Sequence, residues 1–231
     1  MTMGRRHFLG AMAGSAASLW LPRAAAPAQA EGLFWGTVPV PETAPGDPVA
    51  AFDAAFPAAT SPSPIPALLP RALAALDHHA ASLTDRDRIG IVDFSVPSRT
   101  PRFTIVDVAS GTVSAPILVA HGKGSDPANR GWVEQLSNRP GSDASCSGSF
   151  VTREIYSGKH GHSRRLIGLD PENSLAEERG IVIHAASYVG RSLAEAQGRI
   201  GRSQGCFAVS PGSIADVLER LGPGRLLFAA R

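Results

Sequence analysis

Ile181-Val182-Ile183-His184, with Gly201-Arg202-Ser203-Gln204-Gly205-Cys206 downstream of it, is the stretch on which the reading of this chain turns. A short run of β-branched residues ending in histidine reads as a strand whose last side chain leaves the core. Alternation puts Ile181 and Ile183 on one face and Val182 and His184 on the other. A histidine at such a strand end projects into a cleft when a cysteine-bearing loop lies beside it. Gly205, directly before Cys206, lets the backbone turn tightly and aim amide N–H groups at one point. Such groups hold the oxyanion formed when a thiolate attacks a carbonyl. A thiol also needs a base or a lowered pKa to be a good nucleophile. Alone, His184 reads more readily as a structural histidine; paired with the Ser-Gln-Gly-Cys loop it reads as that base.

The two cysteines leave two readings open. Cys146 and Cys206 in a chain bound for an oxidising compartment pair readily as a disulfide closing a loop. The alternative is a reactive Cys206 kept unpaired. Cys146, in Ser145-Cys146-Ser147-Gly148, sits in a turn-like setting without the glycine cue.

Outward from this core, short β-branched runs at 89–94, 103–108, 113–120, 150–155, 166–169, 181–184 and 225–229 predict strands, with Ala109-Ser110-Gly111 as a hairpin turn. Pro70 suits the first turn of a helix whose apolar face is Leu69, Leu73, Leu76 and Leu83, with His78 and His79 on the solvated side. Further helices are predicted at 193–197 and 213–221. Many short strands with few helices predict a mainly β domain over 67–231, preceded by that helix. No internal repeat is present.

Upstream the chemistry changes. Arg5-Arg6-His7-Phe8-Leu9, a mild apolar stretch to Leu21, and Ala28-Gln29-Ala30 predict a twin-arginine signal peptide over 1–30, too short in its apolar run for a membrane span. The expected destination is the periplasm, through the twin-arginine export machinery. Residues 31–66, Ala/Pro-rich and ending in Ser61-Pro62-Ser63-Pro64-Ile65-Pro66, predict a linker. The chain carries 22 Lys+Arg against 20 Asp+Glu. Removing 1–30 takes three arginines and no acid, so the remainder is near neutral. No basic stripe of the kind nucleic-acid binders use is present.

The strand and loop quoted first, taken with other blocks, resemble the murein L,D-transpeptidase catalytic domain family, related to the YkuD-type enzymes. The further blocks are Asp93-Phe94-Ser95 with Pro97-Ser98, Val119-Ala120-His121-Gly122-Lys123, Ser137-Asn138-Arg139-Pro140-Gly141-Ser142 and Tyr156-Ser157-Gly158-Lys159-His160-Gly161. They stand in the family's order across 67–231. The resemblance implies a mainly β L,D-transpeptidase fold with short helices and acyl transfer without a metal or other cofactor. It implies that Cys206 attacks the carbonyl of the L-centre in a peptidoglycan tetrapeptide stem and forms a thioester. His184 takes the thiol proton and later activates the incoming amine. The backbone amides of Gln204, Gly205 and Cys206 form the oxyanion hole, and Ser203 supports the loop or the imidazole. Lys159, His160 and Arg202 are expected at the substrate. The thioester then passes to an amine, giving a cross-link, or to water, giving carboxypeptidase trimming.

The sequence departs from the family in places. Gln204 stands where the broader motif has histidine, Phe207-Ala208-Val209 lacks its arginine, Ala185 replaces a glycine and Phe207 a proline. Ala185 and Phe207 are the changes expected to alter the cleft. Two other readings remain at this level. One is a zinc-dependent stem-peptide hydrolase using His160 or His162 with His121 or His184, though His-x-His alone lacks a zinc framework. The other is a non-catalytic wall-binding protein with Cys206 paired to Cys146.

Overall fold

The structure is a computed structural model that describes residues 66–231. The predicted signal peptide and nearly all of the predicted linker lie outside the described residues.

Eight strands form one sheet in the order β2-β1-β8-β4-β5-β6-β7-β3. They are β1 Arg88–Asp93, β2 Phe103–Asp107, β3 Val119–Ala120, β4 Gly148–Gly158, β5 Gly161–Gly168, β6 Val182–Ala185, β7 Phe207–Val209 and β8 Leu226–Ala230. Among the described residues three short α-helices accompany them: α1 Leu69–His78, α2 Arg191–Gln197 and α3 Ile214–Arg220. The pairings β1–β8 and β6–β7 are parallel and the rest antiparallel. Isolated bridges Phe103↔Ile117 and Val106↔Val113 tie the segment before β3 back onto β2, so the two edges nearly meet.

Residue alternation explains why the central strands are apolar throughout. On β1 and β8, Ile89, Ile91, Leu226 and Phe228 pack under α1 with Ala72 and Leu76, while Val92, Leu227 and Ala229 face the main core. Both faces are covered, so no polar position survives between the strand ends Arg88 and Asp93 or along β8. On β7, Phe207 and Val209 enter the main core, and Ala208 joins Ala120, Ala194 and Ile200 under α2.

Three expectations need correction. The buried stripe of α1 is Leu68, Ala72 and Leu76; Leu73 is 38% exposed. His78 is solvated, but His79 is not: its Nε2 lies 2.8 Å from Asp170 Oδ1. The run 113–120 forms a strand only at Val119–Ala120. Pro116 interrupts it, having no N–H to offer a ladder. β7 escaped the sequence reading because three residues before Ser210-Pro211 are too few to show a period. Beyond the runs 150–155 and 166–169 the strands continue as a long hairpin, with β4 and β5 paired to Gly158↔Gly161. Its outer residues are exposed, so ladder hydrogen bonds rather than burial hold them and no alternation marks them.

Phe207, where the family has proline, is 0% exposed and lies 6.0 Å from Phe94 and 5.4 Å from Phe150, centroid to centroid. It therefore faces the core and not the cleft. Phe207→Ala is expected to lose about 3–5 kcal/mol, read as a shift in the urea midpoint at unchanged slope.

Candidate active site

β6 and β7 bring the two sequence-predicted residues together. The parallel register pairs Ile183 with Phe207 and His184 with Ala208. Ile183 and Phe207 are both in the core. His184 and Cys206, each one residue away, therefore share the opposite face. His184 pairs with Ala208, two positions beyond Cys206, so the two stand diagonally across the ladder.

The His184 ring is 2% exposed, and its Nδ1 lies 2.8 Å from the Ala185 carbonyl. A carbonyl only accepts, so Nδ1 carries the proton and Nε2 is left as the basic nitrogen. Burial lowers the imidazole pKa; the Ala185 carbonyl opposes this, and His160 and Lys159 add to it. The base is thus neutral near pH 7. The His160 ring stacks on it at 4.3 Å. Lys159 and His160 are the turn of the β4–β5 hairpin. The hairpin's irregular base is tied down by buried Arg164, which donates to Arg153 O at 2.5 Å and to Leu218 O at 2.6 Å.

The Cys206 thiol is partly exposed and unpaired, and it donates to Gly180 O at 3.5 Å. His184 is not its hydrogen-bond partner in this structure. Burial raises the thiol pKa, and the Val182 backbone, Arg179 and Lys159 act against that. Thiol and imidazole are both neutral at rest, the state from which a base-assisted attack starts. Cys146 is also unpaired, but it lies in the core at 0% exposure, where burial pushes it up to about 11. That environment makes it inert.

Ser203, Gln204 and Gly205 shape the loop. The Ser203 hydroxyl donates to Cys206 O at 2.7 Å and receives the Gly205 N–H at 3.1 Å, so it braces the loop and not the imidazole. Gly205 has φ +117, and a side chain there would meet Ala144 O at 2.7 Å. Glycine is obligatory on both counts. The Gln204 side chain is exposed. Arg202 donates to Asp126 O, which anchors the loop to the segment after β3.

Two residues near the thiol gave no sequence signal. Arg179 donates to Ser137 O at 2.7 Å and Ala144 O at 2.5 Å, and its charge reaches both cysteines. The Tyr188 phenol is pushed up to about 12, first by burial and then by Cys206. Both lie in stretches without a motif, and only packing brings them to the site. Of the histidines of the zinc reading, only His160 and His184 meet, as stacked rings. His121 is held by Arg102 and Asp126, and His162 Nδ1 lies 3.2 Å from Ser157 Oγ. Among the described residues no group of three or more His, Cys, Asp or Glu is arranged to hold a metal.

A strand-end imidazole protonated on Nδ1 and an unpaired thiol on a glycine-turned loop thus lie at neighbouring strands of one sheet. A family profile described as L,D-transpeptidase catalytic domain matches residues 64–230, and the chain belongs to that family. No curated protein matches it. Among solved structures it is similar to an L,D-transpeptidase from Mycobacterium smegmatis, at 16% identity and TM-score 0.40, covering 63% of this chain and 59% of that one. L,D-transpeptidase 1 of Mycobacterium tuberculosis gives 14% and 0.36, over 63% and 62%. That from Xylanimonas cellulosilytica gives 15% and 0.37, over 70% of each chain. The chain spans about three fifths of the length of the first two.

Two outcomes follow from these environments. A thiol reagent added to the native, unreduced protein is expected to modify Cys206 alone, with Cys146 appearing only on unfolding; mass mapping of the labelled peptides reads this. His121, lowered from 6.5 to about 4 by burial and then by Arg102, binds a proton more readily when unfolded. Stability is therefore full above pH 6.5 and falls as the pH drops toward 4, by on the order of 3 kcal/mol from this group. Urea unfolding at stepped pH should show that loss in wild type and not in His121→Gln.

Proposed function

We propose that this chain is an exported peptidoglycan L,D-transpeptidase that also trims stem peptides as an L,D-carboxypeptidase. Its family supports the reaction class. The observation that carries the mechanism is the shared face of Cys206 and the free Nε2 of His184 across the β6–β7 ladder.

Rotation of the thiol away from Gly180 O brings it toward His184 Nε2, which takes its proton as Sγ attacks the carbonyl of the L-centre in a tetrapeptide stem. Apo geometry in such sites is commonly longer than that of the substrate complex. The Gly205 amide is engaged by Ser203 Oγ, so the amides of Gln204 and Cys206 are the oxyanion donors in this reading. The tetrahedral intermediate collapses with cleavage of the amide bond. His184 gives its proton to the leaving amine, and the terminal D-residue departs. An incoming amine or water then resolves the thioester, with His184 again as base.

Lys159 and His160 roof the imidazole from the hairpin turn and meet the stem peptide, whose carboxylates suit an ammonium. Arg202, already engaged with Asp126 O, acts at the rim. Export is proposed through the twin-arginine machinery to the periplasm, on Arg5-Arg6 and the apolar stretch after it.

Incubation of the protein with a purified disaccharide-tetrapeptide, beside Cys206→Ala and His184→Ala, tests the reading by mass. Wild type should give a cross-linked dimer lacking one D-residue, a trimmed tripeptide, or both. Cys206→Ala should give neither, and His184→Ala should retain at most about a hundredth of the rate. Product from Cys206→Ala at the wild-type rate would rule this mechanism out.

A further inference from the structure

Beneath the nucleophile loop lies a set of buried charged and polar groups that the reaction above does not use. Arg102, His121 and Asp126 are 4%, 0% and 0% exposed. The Arg102 guanidinium donates to Val119 O at 3.2 and 3.0 Å and to Val96 O at 2.7 Å, and lies 2.8 Å from His121 Nδ1. A guanidinium has only donors, so Nδ1 accepts. The proton then sits on Nε2, which faces Asp126 Oδ2 at 3.4 Å. The Asp126 carboxylate also receives Arg130 N–H at 2.8 Å and Gly131 N–H at 2.7 Å. A neutral imidazole protonated on Nε2 is the one form that satisfies both neighbours. Left unpaired, any of the three groups would bear a large desolvation cost.

This unit reaches the loop through the backbone it pins. His121 O receives the Ser203 N–H at 2.9 Å, and Ser203 O receives the Lys123 N–H at 2.8 Å. Gly122 and Ser203 thus form a parallel bridge. A side chain at Gly122 would sit 2.7 Å from Gly205 N, so the two backbones touch. Arg202 adds a second tie, to Asp126 O. From Ser203 the contacts run through its hydroxyl to Gly205 N and Cys206 O. The Ser145 hydroxyl receives Gly122 N–H at 3.0 Å and donates to Gly205 O at 3.1 Å, closing the far side. The ties that hold the Ser203 and Gly205 backbone from outside the loop are made by the 121–126 segment and by Ser145, which that segment holds.

We propose that Arg102, neutral His121 and Asp126 are positioning residues for the acyl-forming loop, holding through Ser203 the backbone amides that receive the oxyanion beside Cys206. The inference rests on Cys206 as the acyl-forming nucleophile but not on peptidoglycan as its substrate.

Two small reagents separate orientation of the amides from access to the thiol. p-Nitrophenyl acetate acylates Sγ through a tetrahedral oxyanion and expels p-nitrophenolate. Iodoacetamide alkylates Sγ at a saturated carbon with loss of iodide and needs no oxyanion hole. The ratio of the two second-order rate constants at Cys206, taken well below each melting transition with Cys206→Ala as blank, is the readout. His121→Phe is expected to lower the ratio by about 10–100-fold, with alkylation within about twofold of wild type. His121→Gln, whose amide offers one acceptor and one donor, should recover most of it. Asp126→Asn should lower it at least about fivefold, and it carries the test if His121→Phe does not fold. A ratio within twofold of wild type in these disrupting variants would overturn the proposal, as would equal loss of both rates. A protein inert toward stem peptide whose ratio still responds would overturn the substrate reading and leave the positioning role supported. Wild-type Cys206 that alkylates but never acylates would overturn both.

Discussion

Parallel pairing of β6 with β7 is the constraint on which the site depends. It is a short contact, with Ile183, His184 and Ala185 against Phe207, Ala208 and Val209. Its register is held from the core side, where Phe207 is clasped by Phe94 and Phe150. A slip by one residue would send Cys206 into the core and Phe207 into water. The large apolar residue beside the thiol thus fixes which way the thiol points.

The electrostatics follow from burial more than from charge pairing. Cys206 and His184 are each pushed toward their neutral forms by desolvation. The positive groups within reach, Lys159 and Arg179, oppose that for the thiol without reversing it. Cys146 shows the same desolvation without the access, being enclosed with a thiol at about 11. Two cysteines in one small domain therefore have opposite characters, set by depth rather than by neighbouring sequence.

The polar interior serves order rather than bulk stability. Buried ion-containing networks gain little net free energy over apolar packing, but they admit few alternative arrangements. Arg102, His121 and Asp126 leave one tautomer and one orientation for the central ring. The loop that carries Cys206 is clamped at Ser203 to the backbone of that ring.

Much was legible in the sequence. β-branched runs broken by glycine and proline marked most of the strands, because burial on both faces of β1 and β8 leaves a continuous apolar record. Strand-end His184 and the glycine before Cys206 named the candidate base and nucleophile, because both requirements are local: a backbone turn and a face of a strand. The sequence left open whether the cysteines pair, and it missed β7, the length of the β4–β5 hairpin, and Arg179 and Tyr188 beside the thiol. It also left Ser203 between two roles. Those points depend on what lies across the fold, where Ser203 meets its own loop and the Gly122 backbone crosses Gly205. Local propensity sets which faces are apolar and where the chain turns; only tertiary packing decides which buried polar groups meet, because their partners lie far away along the chain.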